Sequence, residues 1–261
     1  MWIKEPPENF SSQTSFVDNT LFLWKCDCKS IYVMDNHLAA AWCWMQECNP
    51  YEEYNFIHID QHSDLKGCGH PKDIEFLKNN PHISFGEYTQ MTYKNMYEYH
   101  FFQWDNYIRV CHYLFPQWFN TNLFYTYDDN ETSANEWGYD MFPTQSRDPL
   151  LLRQEITRYI KNADNISKDD TVNNKNKDMK WIFNLDLDFF WDEDGKKLYD
   201  NKFILDLGEI INQSMTNIQV ITIALSPDCI GGENMRDKWQ NVIRVFNILK
   251  KAIRGLESCP L

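Results

Sequence analysis

The sequence predicts an α/β fold, a mainly parallel central sheet flanked by helices, and three observations carry that prediction. Apolar runs of strand length occur at 55–59, 181–190 and 219–225, and each carries or gives way to carboxylates or turn residues. Between the second and third, Phe203, Ile204, Leu207, Ile210 and Ile211 recur at helical spacing, and strand, helix, strand is the order of a parallel crossover. The 261 residues fit one domain spanning 1–261, because sheets of this class reach that size without dividing.

Taken in order, the chain opens on Met1-Trp2-Ile3-Lys4-Glu5-Pro6-Pro7, which has neither the basic start nor the apolar core of a signal peptide. No segment approaches a membrane span, so a cytoplasmic protein is expected. Eight cysteines in a long, apolar chain without an export signal are expected to be reduced thiols. Cys26 and Cys28 stand too close for a zinc knuckle, and no second pair complements them. A composition 43% hydrophobic and 16% aromatic argues against disorder. The net charge of -13 argues against nucleic acid or an anionic membrane as partner; it favours a cationic one, although acidity also serves solubility alone.

Ile31-Tyr32-Val33-Met34 reads as a short strand, and Asp35 or Asn36 as the cap of a helix over 38–45. His37 then falls in the first helical turn beside the strand end, where it is a candidate ligand or a histidine bonded to a carbonyl. The run Asn55-Phe56-Ile57-His58-Ile59-Asp60-Gln61-His62-Ser63-Asp64 breaks from apolar residues into alternating carboxylate and imidazole. If the strand continues, Asp60, His62 and Asp64 project from one side with His58 behind them. Carboxylates crowded at a buried strand end repel one another by several kcal/mol, so a bound cation is expected; a solvated turn is the alternative.

Gly67-Cys68-Gly69-His70-Pro71 reads as a loop, and 95–115 as an aromatic helical segment. Asp148-Pro149 suits the start of a helix through 159, and the polar stretch 161–180 an exposed connection. Trp181-Ile182-Phe183-Asn184-Leu185-Asp186-Leu187-Asp188-Phe189-Phe190 is a second buried run with two carboxylates on one face, and two acidic strand ends need each other or metal. The third strand ends in Ser226-Pro227-Asp228-Cys229-Ile230-Gly231-Gly232, which puts an acid where an open α/β sheet builds its site; a turn-forming Asp is the alternative. A final helix over 234–253 carries Trp239, Val242, Phe246, Leu249 and Ile253 at core spacing.

These motifs resemble those of the ureohydrolases, the superfamily of arginases and agmatinases. There an Asp-x-His-x-Asp motif, a later Asp-x-Asp motif and a more N-terminal His hold two manganese ions bridged by a hydroxide. Asp60, His62, Asp64, Asp186 and Asp188 match the two motifs residue for residue, and His37 is the candidate N-terminal ligand, without the usual Gly-Gly-Asp-His context. Together with Asp-Asn-His and Ser-Pro-Asp-x-x-Gly-Gly, the pattern is most similar to the peptide arginases of bacterial ribosomal-peptide maturation. The resemblance implies a three-layer arginase-like fold, two Mn2+ ions, and hydrolysis of arginine side chains in a precursor peptide to ornithine and urea. It also implies a guanidinium-binding carboxylate after the third strand, assigned to Asp228 with Glu233 as substitute, and a proton-shuttling histidine, with His70 and His82 as candidates.

Four carboxylates against two divalent ions leave the metal-loaded site near neutral, and mostly oxygen donors favour manganese while imidazole leaves iron, cobalt or zinc open. Free-arginine enzymes follow the first motif with polar residues for the substrate's α-carboxylate and α-amino groups, and Leu65-Lys66-Gly67-Cys68-Gly69 does not align with them. The expected substrate is therefore peptidyl arginine, approached through an open pocket lined by aromatic residues. Rival readings are a small-molecule ureohydrolase, a zinc deacetylase-like amidohydrolase, and a non-catalytic metal- or peptide-binding protein.

Overall fold

A computed structural model describes residues 1–15, 20–67, 71–94, 98–126, 140–143, 154, 157, 158 and 179–261. Its main sheet contains β1 (Trp2–Lys4), β2 (Leu23–Lys25), β3 (Ile31–Met34), β4 (Asn55–Ile59), β7 (Asn122–Thr126), β8 (Asp140–Pro143), β9 (Trp181–Asp186) and β10 (Ile218–Ala224). The strands run in the order β1-β2-β3-β10-β9-β4-β7-β8. Pairing is antiparallel from β1 to β3 and parallel from β3 to β8. A separate hairpin pairs β5 (Thr92–Lys94) with β6 (Glu98–His100).

The parallel strands β3, β4, β9 and β10 are buried almost throughout because helices cover both faces. On one side α1 (Ala40–Glu47) and α3 (Tyr107–Leu114) bring Trp44, Val110 and Cys111 into a core with Phe56, Ile182 and Val220. On the other, α4 (Asn201–Gln213) and α5 (Met235–Ala252) bring Leu207, Ile211, Val242 and Phe246 against Ile57, Phe183 and Ile221. A further short helix, α2 (Phe85–Gln90), lies between β4 and the hairpin in the chain. The predicted α/β architecture, mostly parallel and flanked by helices, is thus present.

Local chemistry sets the helix starts. Asn36 is extended and its side chain accepts from Leu38 N at 2.9 Å, opening a 3-10 turn (His37–Ala39) that runs into α1. Asp200 caps α4 through Phe203 N at 2.7 Å, and Asn234 caps α5 through Asp237 N at 3.1 Å.

Three expectations need correction. The segment 95–115 is helical only in its second half, since Glu98–His100 is a strand whose Tyr99 stacks on Tyr93 across the hairpin. Asp60, His62 and Asp64 do not continue β4, which stops at Ile59. Asp188 likewise leaves β9 and sits in a 3-10 turn (Leu187–Phe190). Nearly all of the helix expected at 148–159 and of the connection at 161–180 lies outside the described residues. Strands β1, β2, β7 and β8 go beyond the sequence prediction. Among the described residues no helix is long and apolar enough to cross a membrane, and Cys26, Cys28, Cys43, Cys48, Cys111, Cys229 and Cys259 are free thiols, as expected.

Candidate metal centre

β3, β10, β9 and β4 are neighbours, and the chain leaves the carboxyl end of each through a residue able to bind metal. His37 follows β3; Asp60, His62 and Asp64 follow β4; Asp186 and Asp188 close β9; Cys229 follows β10. Open α/β sheets build ligand sites at this edge.

One turn device is used twice. Asp60 Oδ1 accepts from His62 N at 2.7 Å, and Asp186 Oδ1 accepts from Asp188 N at 2.9 Å. Each carboxylate bonds the backbone two residues on, which competes with the sheet ladder and ends the strand. Its other oxygen is then aimed inward: Asp60 Oδ2 lies 3.2 Å and Asp186 Oδ2 3.4 Å from His37 Nδ1. Gln61 N donates to Asp188 Oδ1 at 3.1 Å and ties the two motifs together.

Asp64 completes this first donor set, its Oδ2 3.2 Å from His37 Nδ1. Its backbone holds φ 53, a left-handed conformation that costs a non-glycine residue energy. Ser226, at φ 41, donates through Oγ to Asp186 Oδ2. A second set gathers at His62, whose Nδ1 lies 3.2 Å from Asp188 Oδ2 and 3.6 Å from Asp60 Oδ1. Cys229 belongs to it, for donor atoms of His62, Asp188 and Cys229 lie within 4.8 Å of one another. All six residues predicted as metal ligands therefore converge, and Cys229 joins them.

His58 also lies close to Asp60 and Asp64, yet both its ring nitrogens are engaged. Nε2 faces the His62 carbonyl at 3.0 Å and Nδ1 accepts from Asn184 Nδ2 at 2.8 Å. Burial lowers its pKa to about 4, so it is a neutral ring bracing the His62 backbone. Asn184 extends the brace: it donates to Tyr107 Oη at 2.8 Å and accepts from Thr222 Oγ1 at 2.6 Å, which itself accepts from Trp44 Nε1 at 3.1 Å. Tertiary packing assembles this polar floor, and His58, Asn184 and Thr222, polar residues inside three apolar runs, mark it in the sequence.

The electrostatics call for a cation. Burial and then Asp60 push the Asp64 carboxyl up to about 7, and burial with neighbouring carboxylates raises Asp186 and Asp188. Asp60, facing His58, His37 and His62, is held well below the usual carboxylate range despite its burial. Burial opposes charge on both imidazoles, but Asp186 with Asp60 and Asp64 holds His37 well above its ordinary value, and Asp188 with Asp60 carries His62 up to about 12. Protons here stand in for positive charge that a metal would bring. Asp60 Oδ2 is buried without a hydrogen-bond partner, and the void among these side chains, about 20 Å³, is the size of one ion or water. The donors fit divalent metal.

Outside the void a cleft of about 430 Å³ passes His62, Gln61, Glu193 and Asp194 and is closed by residues 228–232. Gly195 and Gly231 touch backbone to backbone there: a Cβ on Gly231 would lie 2.0 Å from the Gly195 carbonyl. Among the described residues the cleft lining is mostly polar, and Trp104 is the aromatic residue besides the histidines at the inner void.

The assignment of Asp228 meets a physical objection. Its Oδ1 accepts from Thr14 Oγ1 at 2.7 Å, and its Oδ2 accepts from both the Ser15 amide and Ser15 Oγ. With Oδ2 filled, a two-bond fork onto a guanidinium is not open to it in this arrangement, and it anchors residues 14–15 instead. Glu233 is exposed and borders neither cavity. His82 is exposed ahead of α2 and also borders neither, and His70 lies outside the described residues. Compared with known proteins, the chain matches no family model and no curated sequence.

Proposed function

We propose that this chain is a binuclear metal hydrolase of the arginase-like kind, cutting the guanidinium of arginine residues in a peptide to leave ornithine and urea. The carrying observation is the convergence of two imidazole-carboxylate sets that share Asp60, one oxygen to each, at the ends of adjacent parallel strands. Two divalent ions in such a place supply activated water and polarise the group under attack. Manganese is the proposed metal, favoured by the three carboxylates around His37.

The chain's own residues fit a cationic group bearing only donors. A guanidinium has five N–H donors and no acceptor. The cleft offers Gln61 Oε1, buried and without a hydrogen-bond partner, and the carboxylates of Glu193 and Asp194. Glu193 and Asp194 make no ion pair among the described residues, so they replace Asp228 as the proposed guanidinium acceptors. His62 borders both cleft and void, which puts the second metal position between substrate and interior. Among the described residues the cleft presents no basic cluster for an α-carboxylate, since Lys238, its lysine, donates to the Asp228 carbonyl at 2.9 Å. This supports a peptide over free arginine.

The test incubates manganese-loaded protein with free arginine, agmatine and arginine-containing peptides, reading urea and peptide mass. The expected product is peptide lighter by about 42 Da per arginine, the loss for hydrolysis of a guanidinium to an amine. Urea from arginine or agmatine with peptides untouched makes it a small-molecule ureohydrolase; no urea from any of them overturns the reading.

A further inference from the structure

We propose that Cys229 is a thiolate ligand of the second metal position, so that the two positions differ in chemistry. The inference rests on the metal-centre part of the reading above and is independent of the arginine substrate.

Around His37 the donors are one imidazole and three carboxylates. Around His62 they are an imidazole, the Asp188 carboxylate, the far oxygen of Asp60 and a sulfur. The sulfur's place is built by the fold. Ser226 takes the left-handed conformation shortly after β10, and the 3-10 turn Pro227–Cys229 that follows brings Cys229 to the wall between the void and the cleft. Asp60 Oδ2, buried without a hydrogen bond and 3.2 Å from His37 Nδ1, is a sign of a cation at the neighbouring first position, to which Asp60 links this one.

Donors on one tetrahedral ion, at about 2.0 Å for nitrogen and about 2.3 Å for sulfur, stand roughly 3.5 Å apart. The group at His62 lies within 4.8 Å, so a small inward rotation of its side chains closes it. Coordination replaces the S–H bond with a sulfur-metal bond, and the proton leaves to solvent. A mixed nitrogen, oxygen and sulfur set favours zinc, cobalt or iron(II), whereas the His37 set favours manganese. The sulfur thus gives the chain a means of sorting two different metals into two neighbouring positions.

Cobalt(II) reports sulfur directly. Metal-free full-length protein is titrated with cobalt chloride and its absorption followed, in wild type and in Cys229→Ser. The expected result is visible d–d bands in both, with an intense near-ultraviolet sulfur-to-cobalt band in wild type that Cys229→Ser loses. Visible bands without the sulfur band overturn the proposal and leave the metal centre standing. A sulfur band persisting in Cys229→Ser also overturns it and points to Cys26 and Cys28, whose sulfurs are 3.3 Å apart. Absence of all cobalt bands overturns the metal centre and the proposal together. Should Cys229→Ser fail to fold, alkylation of native wild type decides: iodoacetamide labelling of Cys229, read by peptide mass, is lost on adding cobalt if sulfur is bound and unchanged if it is not.

Discussion

His37 Nδ1 and Asp64 Oδ2 stand 3.2 Å apart although 27 positions separate them in the chain. One leaves β3 and the other follows β4, strands that do not touch, because β10 and β9 lie between them in the sheet. The pair therefore bridges the carboxyl edge of four strands, and it exists only when the whole parallel centre has formed. A metal held by this pair would couple its binding to folding through this geometry.

Elemental analysis of protein expressed with manganese should find about two divalent ions per chain. Asp60→Ala should lose both, since its two oxygens face the two sets. Asp64→Ala should lose only the ion at His37. One tightly held zinc, indifferent to Asp64→Ala, rules out the binuclear site.

The metal-free protein should lose thermal stability as pH rises from about 6.5 to about 8.5. Across this window the main contributor is His62, raised to about 12, which keeps in the folded chain a proton that the unfolded chain releases; Asp64 and Asp35, raised to about 7, give up the last of theirs at its lower end. Groups with raised folded pKa lose their contribution as pH climbs through that value. Asp60 and His58 are lowered instead, and they change stability only at pH below this window. Manganese should weaken the decline, because it displaces the protons on Asp64 and His62 but not the one on Asp35; melting curves with and without metal check this.

Asn184→Leu should destabilise the fold by about 1–3 kcal/mol for each polar group it orphans. The groups at risk are His58 Nδ1, Tyr107 Oη and Thr222 Oγ1. Denaturant unfolding reads the loss. A change within error would show that water replaces the amide and that the floor is not rigid.

Asp228→Ala should free residues 14–15 and keep both metals. Limited proteolysis should then cut near Thr14 and Ser15 faster than in wild type, while metal content stays the same. Loss of metal instead would make Asp228 a ligand.

How much of this was legible in the sequence follows from the range of the forces involved. The strands at 31–34, 55–59 and 218–224 and the helices at 201–213 and 235–252 are local events, set by runs of buried residues, by periodicity and by caps such as Asn36 and Asn234. The six candidate metal ligands were readable because carboxylates and imidazoles crowded at the ends of apolar strands are costly to bury unless a cation offsets their charge. The sequence alone thus determined the α/β class and offered six candidate donors, five from the two motifs and His37 through the resemblance.

Tertiary structure decided what each donor faces. That Asp60 and Asp186 spend one oxygen on a turn and aim the other at His37 depends on strand ends brought together across the sheet. The same packing fills Asp228 with Thr14 and Ser15, from the far end of the chain, and moves its neighbour Cys229 into the site. A motif reports which atoms are present; which of them remain unsatisfied is settled only when distant segments have competed for them, because hydrogen bonding is short-ranged and each lone pair is filled once.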